Sequence, residues 1–133
     1  MRLAVIVMWL VTAVAGAHLL CLWLPGAARR RQAAKVTRFP VTLTLSHPLL
    51  ASGALGSWVG HLLTGHRALA WAAFGLVALA ALLGFAMFTR WLGAGRHARG
   101  AERGFPKAAV VLHGAGGVAT FVLILLATVM LDC

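Results

Sequence analysis

The stretch Thr44 to His66, TLSHPLLASGALGSWVGHLLTGH, decides how this chain is read. It is apolar enough to form a helix in a bilayer, yet it carries three histidines, His47, His61 and His66. The first two are fourteen positions apart. Intramembrane ionisable residues are expensive and are a functional hypothesis by default. The stretch therefore raises two questions: whether the rest of the chain is also membranous, and what imidazoles would do there.

Working outward, the chain has 133 residues, 62% hydrophobic and 11% charged, whereas soluble domains run nearer a quarter charged. The apolar residues fall into four runs, Leu3 to Leu24, Val41 to Thr64, Ala68 to Thr89 and Ala108 to Leu131. Each is long enough to cross a hydrocarbon core of ~30 Å, for which about 20 residues suffice. Three short connections join the runs, which predicts a single all-α domain over residues 1–133. The expected architecture is an integral membrane, antiparallel four-helix transmembrane bundle. A cleaved signal peptide over the first run is disfavoured, despite Ala15-Gly16-Ala17, because Arg2 is its only basic flank and the run is too long.

The net charge of +10 could suggest nucleic acid, but its distribution excludes that reading. Arg29, Arg30, Arg31, Lys35 and Arg38 lie between the first two helices, and Arg90, Arg96, Arg99, Arg103 and Lys107 between the last two. The opposite side has only Arg2 and Arg67. This is the positive-inside pattern. It predicts a multi-pass protein of the plasma (inner) membrane, with both long basic loops cytoplasmic and both termini outside. The loops should also attract anionic lipid headgroups. Cys21 is expected to be a small buried hydrophobe, and Cys133 is terminal and uninformative.

The punctuation fits four helices. Trp23-Leu24-Pro25-Gly26 reads as an interfacial aromatic and a stop, and Thr64-Gly65-His66-Arg67 as a tight external turn. Phe39-Pro40 opens the second helix and Phe105-Pro106 the fourth, a likeness that hints at an old helix-pair duplication. His97, in the Gly-, Ala- and Arg-rich segment 93–104, reads as a surface residue.

Depth then groups the histidines. His18 lies six residues before Leu24, His47 six after Val41 and His113 five after Ala108. At ~1.5 Å per residue, each is roughly 8 to 9 Å into the core from the cytoplasmic side. The third helix has Gly84 at that depth, which opens space. In His113-Gly114-Ala115-Gly116-Gly117, Gly116 and Gly117 share a face with the histidine. Bare backbone beside an imidazole suits a large flat group such as a porphyrin, and equally suits helices that pack closely.

Angle adds a second relation. Fourteen residues at ~100° each return to nearly the same face, about 21 Å along the axis. The His47–His61 spacing therefore resembles that of the two-haem helices in cytochrome b of the quinol–cytochrome c oxidoreductases. More loosely, the histidine-bearing four-helix pattern resembles the membrane b-type cytochromes of the cytochrome b561-like kind. The resemblance implies haem b held by helical histidines and a role in electron transfer. The chain departs from the two-haem pattern, since Ala127 and Ala4 stand where partners for His61 would be. One haem is expected, and a second only if His61 has a partner. His61 itself is expected near the outer interface, partly hydrated and hydrogen-bonded to Thr64 or to the turn backbone.

With helices in order around a square, the second and fourth are diagonal, so His47 and His113 are the favoured axial pair. His18 would flank the ring, bond a propionate or replace one ligand. Arg38, Arg90 and Lys107, at the cytoplasmic boundary, would meet propionates or lipid. Pro48 would set the orientation of His47. Two alternatives stand beside the cytochrome. One is a copper or zinc site in which His18, His47 and His113 converge. The other is a non-catalytic accessory or assembly subunit of a larger respiratory membrane complex. The stripe Gly53, Gly56, Gly60 would meet a neighbouring helix or another subunit. Quinone is the expected small-molecule partner, alongside the lipid bilayer. No nucleophile constellation, phosphate loop or acid pair is present, so hydrolysis and phosphoryl transfer are unsupported.

Overall fold

The computed structural model describes residues 2–30, 40–93 and 105–130, with side chains from residue 3 to 25 in the first of these segments. All of it is helical apart from short caps and turns. The four helices are α1 (Arg2–Arg30), α2 (Val41–Thr64), α3 (Arg67–Leu92) and α4 (Lys107–Val129). The boundaries of α2 are those read from the sequence. Those of α3 and α4 move by one to three residues. Arg31, Lys35, Arg38, Arg96, His97, Arg99, Arg103 and Cys133 lie outside the described residues.

α1 departs most from expectation. It runs through Pro25 and on to Arg30 rather than stopping at Leu24. A proline removes one intrahelical hydrogen bond and bends a helix, but need not end it. Elsewhere the punctuation acts as read. Pro40 and Pro106 cap α2 and α4, and their carbonyls accept the first helical bonds, from the N–H of Thr44 and of Val110, both at 3.1 Å. Gly65 ends α2 in the left-handed region at φ 73°, and its N–H donates to the His61 carbonyl at 2.8 Å. Only glycine takes that conformation without a Cβ clash.

α1, α3 and α4 are long and apolar enough to cross a membrane, over Leu3–Pro25, Arg67–Leu92 and Lys107–Val129. α2 falls short of that apolarity, so the sequence expectation of four such helices is met by three. The cause is its load of hydroxyls and imidazoles. Several of these turn inward onto backbone: Thr44 Oγ1 donates to the Pro40 carbonyl at 3.2 Å, Ser57 Oγ to Gly53 at 3.0 Å and Thr64 Oγ1 to Gly60 at 2.8 Å. Such local bonds hide polarity that a residue-by-residue hydropathy sum counts in full.

α2 packs chiefly on α3, and α1 on α4; α3 and α4 join the two pairs, while α1 and α2 barely touch. The apolar core is Val5, Trp9, Ala54, Trp58, Ala70, Ala73, Val77, Ile124 and Ala127. It occupies the half of the molecule formed by the starts of α1 and α3 and the ends of α2 and α4. Four of its members are alanines, which let helix backbones approach around the two tryptophans. Large apolar side chains cover the outside, with Leu63, Leu3 and Leu49 at least 74% exposed, as helices facing lipid require.

The Phe-Pro likeness extends through the fold. At one constant offset of 66 positions, Pro40, His47, Ala54, Trp58 and His61 of α2 match Pro106, His113, Thr120, Ile124 and Ala127 of α4. The last three of each set are buried. At an offset of 68, Val5, Trp9 and Trp23-Leu24 of α1 match Ala73, Val77 and Trp91-Leu92 of α3. The two helix pairs are alike in where these positions fall, though not in composition.

Candidate functional site: a histidine pair between helices

Each helix has one inward stripe at the spacing of a helical face. On α1 it is Val5, Trp9, Thr12, Gly16 and Trp23; on α3 it is Ala73, Val77, Ala80 and Gly84. On α2 it runs Thr44, His47, Ala54, Trp58, His61, and on α4 His113, Gly116, Thr120, Ile124, Ala127. His47 and His113 therefore point into the helix assembly below its apolar core. Their rings meet edge-on, with centroids 5.8 Å apart and planes at 76°.

Each ring is held from a third or fourth helix. His47 Nδ1 lies 2.8 Å from the Ala80 carbonyl of α3, and His113 Nδ1 lies 2.9 Å from the Thr12 carbonyl of α1. A carbonyl oxygen can only accept, so each Nδ1 carries the proton. In a neutral imidazole the other nitrogen, Nε2, is then a bare lone pair. No described residue hydrogen-bonds either Nε2. Ligating histidines are held in this way, with the distal nitrogen tied to a carbonyl and the lone pair left for the metal.

Glycine makes room for both rings. A Cβ on Gly84 would stand 3.0 Å from His47 Cε1, and one on Gly16 would stand 2.7 Å from His113 Cε1. Gly84 was expected at this depth as open space for a cofactor, but the His47 ring occupies that space. Gly16 and the Thr12 and Ala80 carbonyls were not expected. Their signal in the sequence is the inward stripe of α1, Val5-Trp9-Thr12-Gly16, which is matched on α3 by Ala73-Val77-Ala80-Gly84.

The other expected site residues are placed differently. His18 is exposed. It shares the outward face of α1 with Cys21, Leu22 and Pro25, at the three- and four-residue spacing of one side. Being two residues past Gly16 puts it roughly 200° round the helix. Depth alone had grouped it with the pair, and angle separates it. Cys21 is likewise exposed, not buried. Among the described residues no group of three or more His, Cys, Asp or Glu side chains could hold one metal ion, so His18, His47 and His113 do not converge.

Gly116 is buried against α1, where a Cβ would meet Thr12 Oγ1, so it serves helix packing. A Cβ on Gly117 would meet nothing within 4 Å. Arg90 and Lys107 are exposed at the ends of α3 and α4, and Arg38 lies outside the described residues. Gly53 and Gly60 face Leu76 and Leu69 of α3, while Gly56 faces open space.

His61 is apart from the pair. It is buried, its Nδ1 donates to the His66 carbonyl of the α2–α3 turn at 3.0 Å, and its ring leans on Trp58 with centroids 5.4 Å apart. The turn-backbone bond is one of the two partners its position suggested, but burial of the ring replaces the partial hydration expected there. The position of α4 that corresponds to His61 is Ala127, so no second imidazole stands there. Comparison of this chain with protein-family models, with curated proteins and with solved structures finds no match.

Proposed function

We propose that this chain is a membrane b-type cytochrome that binds one haem through His47 and His113 and passes electrons between quinol or a partner redox protein and a second carrier. One observation carries the reading. Two imidazoles from helices that are not sequence neighbours come together, each with Nδ1 tied to a carbonyl and Nε2 left bare. The donor set fits the group. The two ring centroids are 5.8 Å apart, within the reach of two imidazoles that share one metal through bonds of ~2 Å. Haem supplies a one-electron iron couple, and bis-histidine ligation leaves no position open to oxygen.

The chain's own residues bind and orient. His47 and His113 are the ligands, and Gly117 and Gly114, whose missing side chains face open space, leave bare backbone beside His113. Arg90 and Lys107 supply cations at the ends of α3 and α4. The bundle is antiparallel in this reading. All four helices cross the plasma membrane, the basic loops are cytoplasmic and both termini are outside. The polar residues of α2 are tolerated because its histidine face is turned to α3 and α4. Quinone and other membrane subunits are the proposed partners.

The test is a reduced-minus-oxidised visible spectrum of the detergent-purified protein, with metal analysis on the same sample. The expected result is a sharp b-type α-band and about one iron per chain. His47→Ala and His113→Ala should each abolish the low-spin spectrum, while His66→Ala and His97→Ala leave it intact. Copper or zinc without haem would overturn the cytochrome, and so would an empty protein. The empty protein would favour an accessory subunit.

A further inference from the structure

We propose that Gly16 with the Thr12 carbonyl, and Gly84 with the Ala80 carbonyl, form two matched seats that fix His113 and His47 as Nδ1–H tautomers. They thereby present two bare Nε2 donors to one shared acceptor. The inference rests on the reading of the pair as a ligand set, and it names the residues that position it.

The two seats are the same device made twice. In each, the side chain of a histidine seven residues after a capping proline reaches a helix of the other helix pair. In each, Nδ1 donates to a carbonyl, at 2.8 Å on α3 and 2.9 Å on α1. In each, a glycine four residues beyond that carbonyl lies under the Cε1 edge of the ring. The exchange is reciprocal. His47 of the first helix pair is seated by α3 of the second, and His113 of the second is seated by α1 of the first. Neither half holds its own histidine, so the pair exists only when both halves fold together.

The chemistry follows from the seats. A ring free to rotate would distribute its proton between both nitrogens. A ring bonded at Nδ1 and pressed at Cε1 cannot turn over without losing the bond and meeting the helix backbone. Both seats act alike, so the site offers two imidazole donors and no anionic one. The acceptor it suits is a single Lewis acid that takes two imidazoles, with the near-perpendicular ring planes set by the seats. The seats are tight to different degrees: a Cβ at position 16 intrudes to 2.7 Å, whereas one at position 84 reaches only 3.0 Å. Gly16→Ala is therefore the harsher change and Gly84→Ala the milder.

The experiment is ¹⁵N NMR of the full chain labelled at histidine, in detergent and before haem is added, with His47→Ala and His113→Ala assigning the two rings. Each ring is expected to show one N–H nitrogen at Nδ1 and one bare nitrogen at Nε2 near neutral pH. Gly84→Ala should shift the His47 signals or mix its tautomers, and leave those of His61 unchanged. Gly16→Ala should do the same to His113; if it does not fold, Gly84→Ala alone decides. Gly56→Ala, where a Cβ meets nothing, should move neither ring. In haem-loaded protein, Gly84→Ala should keep the iron and shift the low-spin ferric EPR signal, which reports the angle between imidazole planes. An Nε2–H tautomer in either ring, or seat variants that leave the signals unmoved, would overturn the seats whether or not haem binds. Seated tautomers in a protein that binds no haem would instead overturn the cytochrome and leave the seats standing.

Discussion

His18 and His113 show what a single residue's position can and cannot tell. They have similar depth, and the sequence pattern treats them alike. Gly16, two residues from His18, faces the His113 ring, so His18 itself faces away from the other helices. His18→Ala is therefore expected to leave the visible spectrum unchanged in band position and height. Loss of the low-spin band in that variant would place His18 among the ligands. At the same scale, removing a seat differs from removing a ligand. Loss of the Nδ1 bond costs about 1 kcal/mol, as for a typical hydrogen bond, whereas loss of the ring removes a donor outright. Gly84 was legible beforehand because depth suffices to find a gap. Gly16 was not, because its use depends on which face of α1 meets α4.

At the scale of the element, the ends of the helices were the most readable feature, with one exception. The proline caps of α2 and α4 and the glycine stop at position 65 follow from local chemistry. Gly65→Ala forces a Cβ into the left-handed region and should lower stability by about 1 kcal/mol. Thermal unfolding in detergent would register this as a lower midpoint, and the visible spectrum of the folded fraction should not change. An unchanged midpoint would mean that the turn relaxes freely. Pro25 is the exception, since α1 continues past it: one missing hydrogen bond is a weaker signal than a reversal of chain direction. α2 shows the converse limit. Its polar residues depress its summed apolarity, yet Thr44, Ser57 and Thr64 spend their hydroxyl protons on their own backbone.

Across the whole molecule, the histidine pair and the packed core occupy different halves. The tryptophan-centred core lies at one end, with Trp58 of α2 and Ile124 of α4 both almost fully buried. Truncating Ile124 to alanine should cost about 2–5 kcal/mol, the usual range for a large-to-small change in a packed core. Any haem lost in Ile124→Ala should be lost together with the fold, which near-UV circular dichroism would follow. His47→Ala should lose haem with the fold intact. The proposed topology has its own check in single-cysteine variants of a chain whose Cys21 and Cys133 have been replaced. His66→Cys should react with an impermeant reagent on intact cells. Val41→Cys and Lys107→Cys should react only after the membrane is opened. Opposite behaviour of Val41→Cys and Lys107→Cys would mean that α2 does not cross.

The sequence alone determined that the chain is helical and where α2 begins and ends, and it counted four helices apolar enough for a bilayer where three reach that measure. These properties depend on residues within a few turns of one another, so local pattern contains them. It also put His47 and His113 at one depth, seven residues after matching prolines. Only the tertiary structure decided that these two imidazoles meet, that His18 turns away and that Thr12, Gly16, Ala80 and Gly84 support the pair. Which face of a helix is buried is a property of its neighbours. In this chain, the neighbour that holds each histidine comes from the other helix pair.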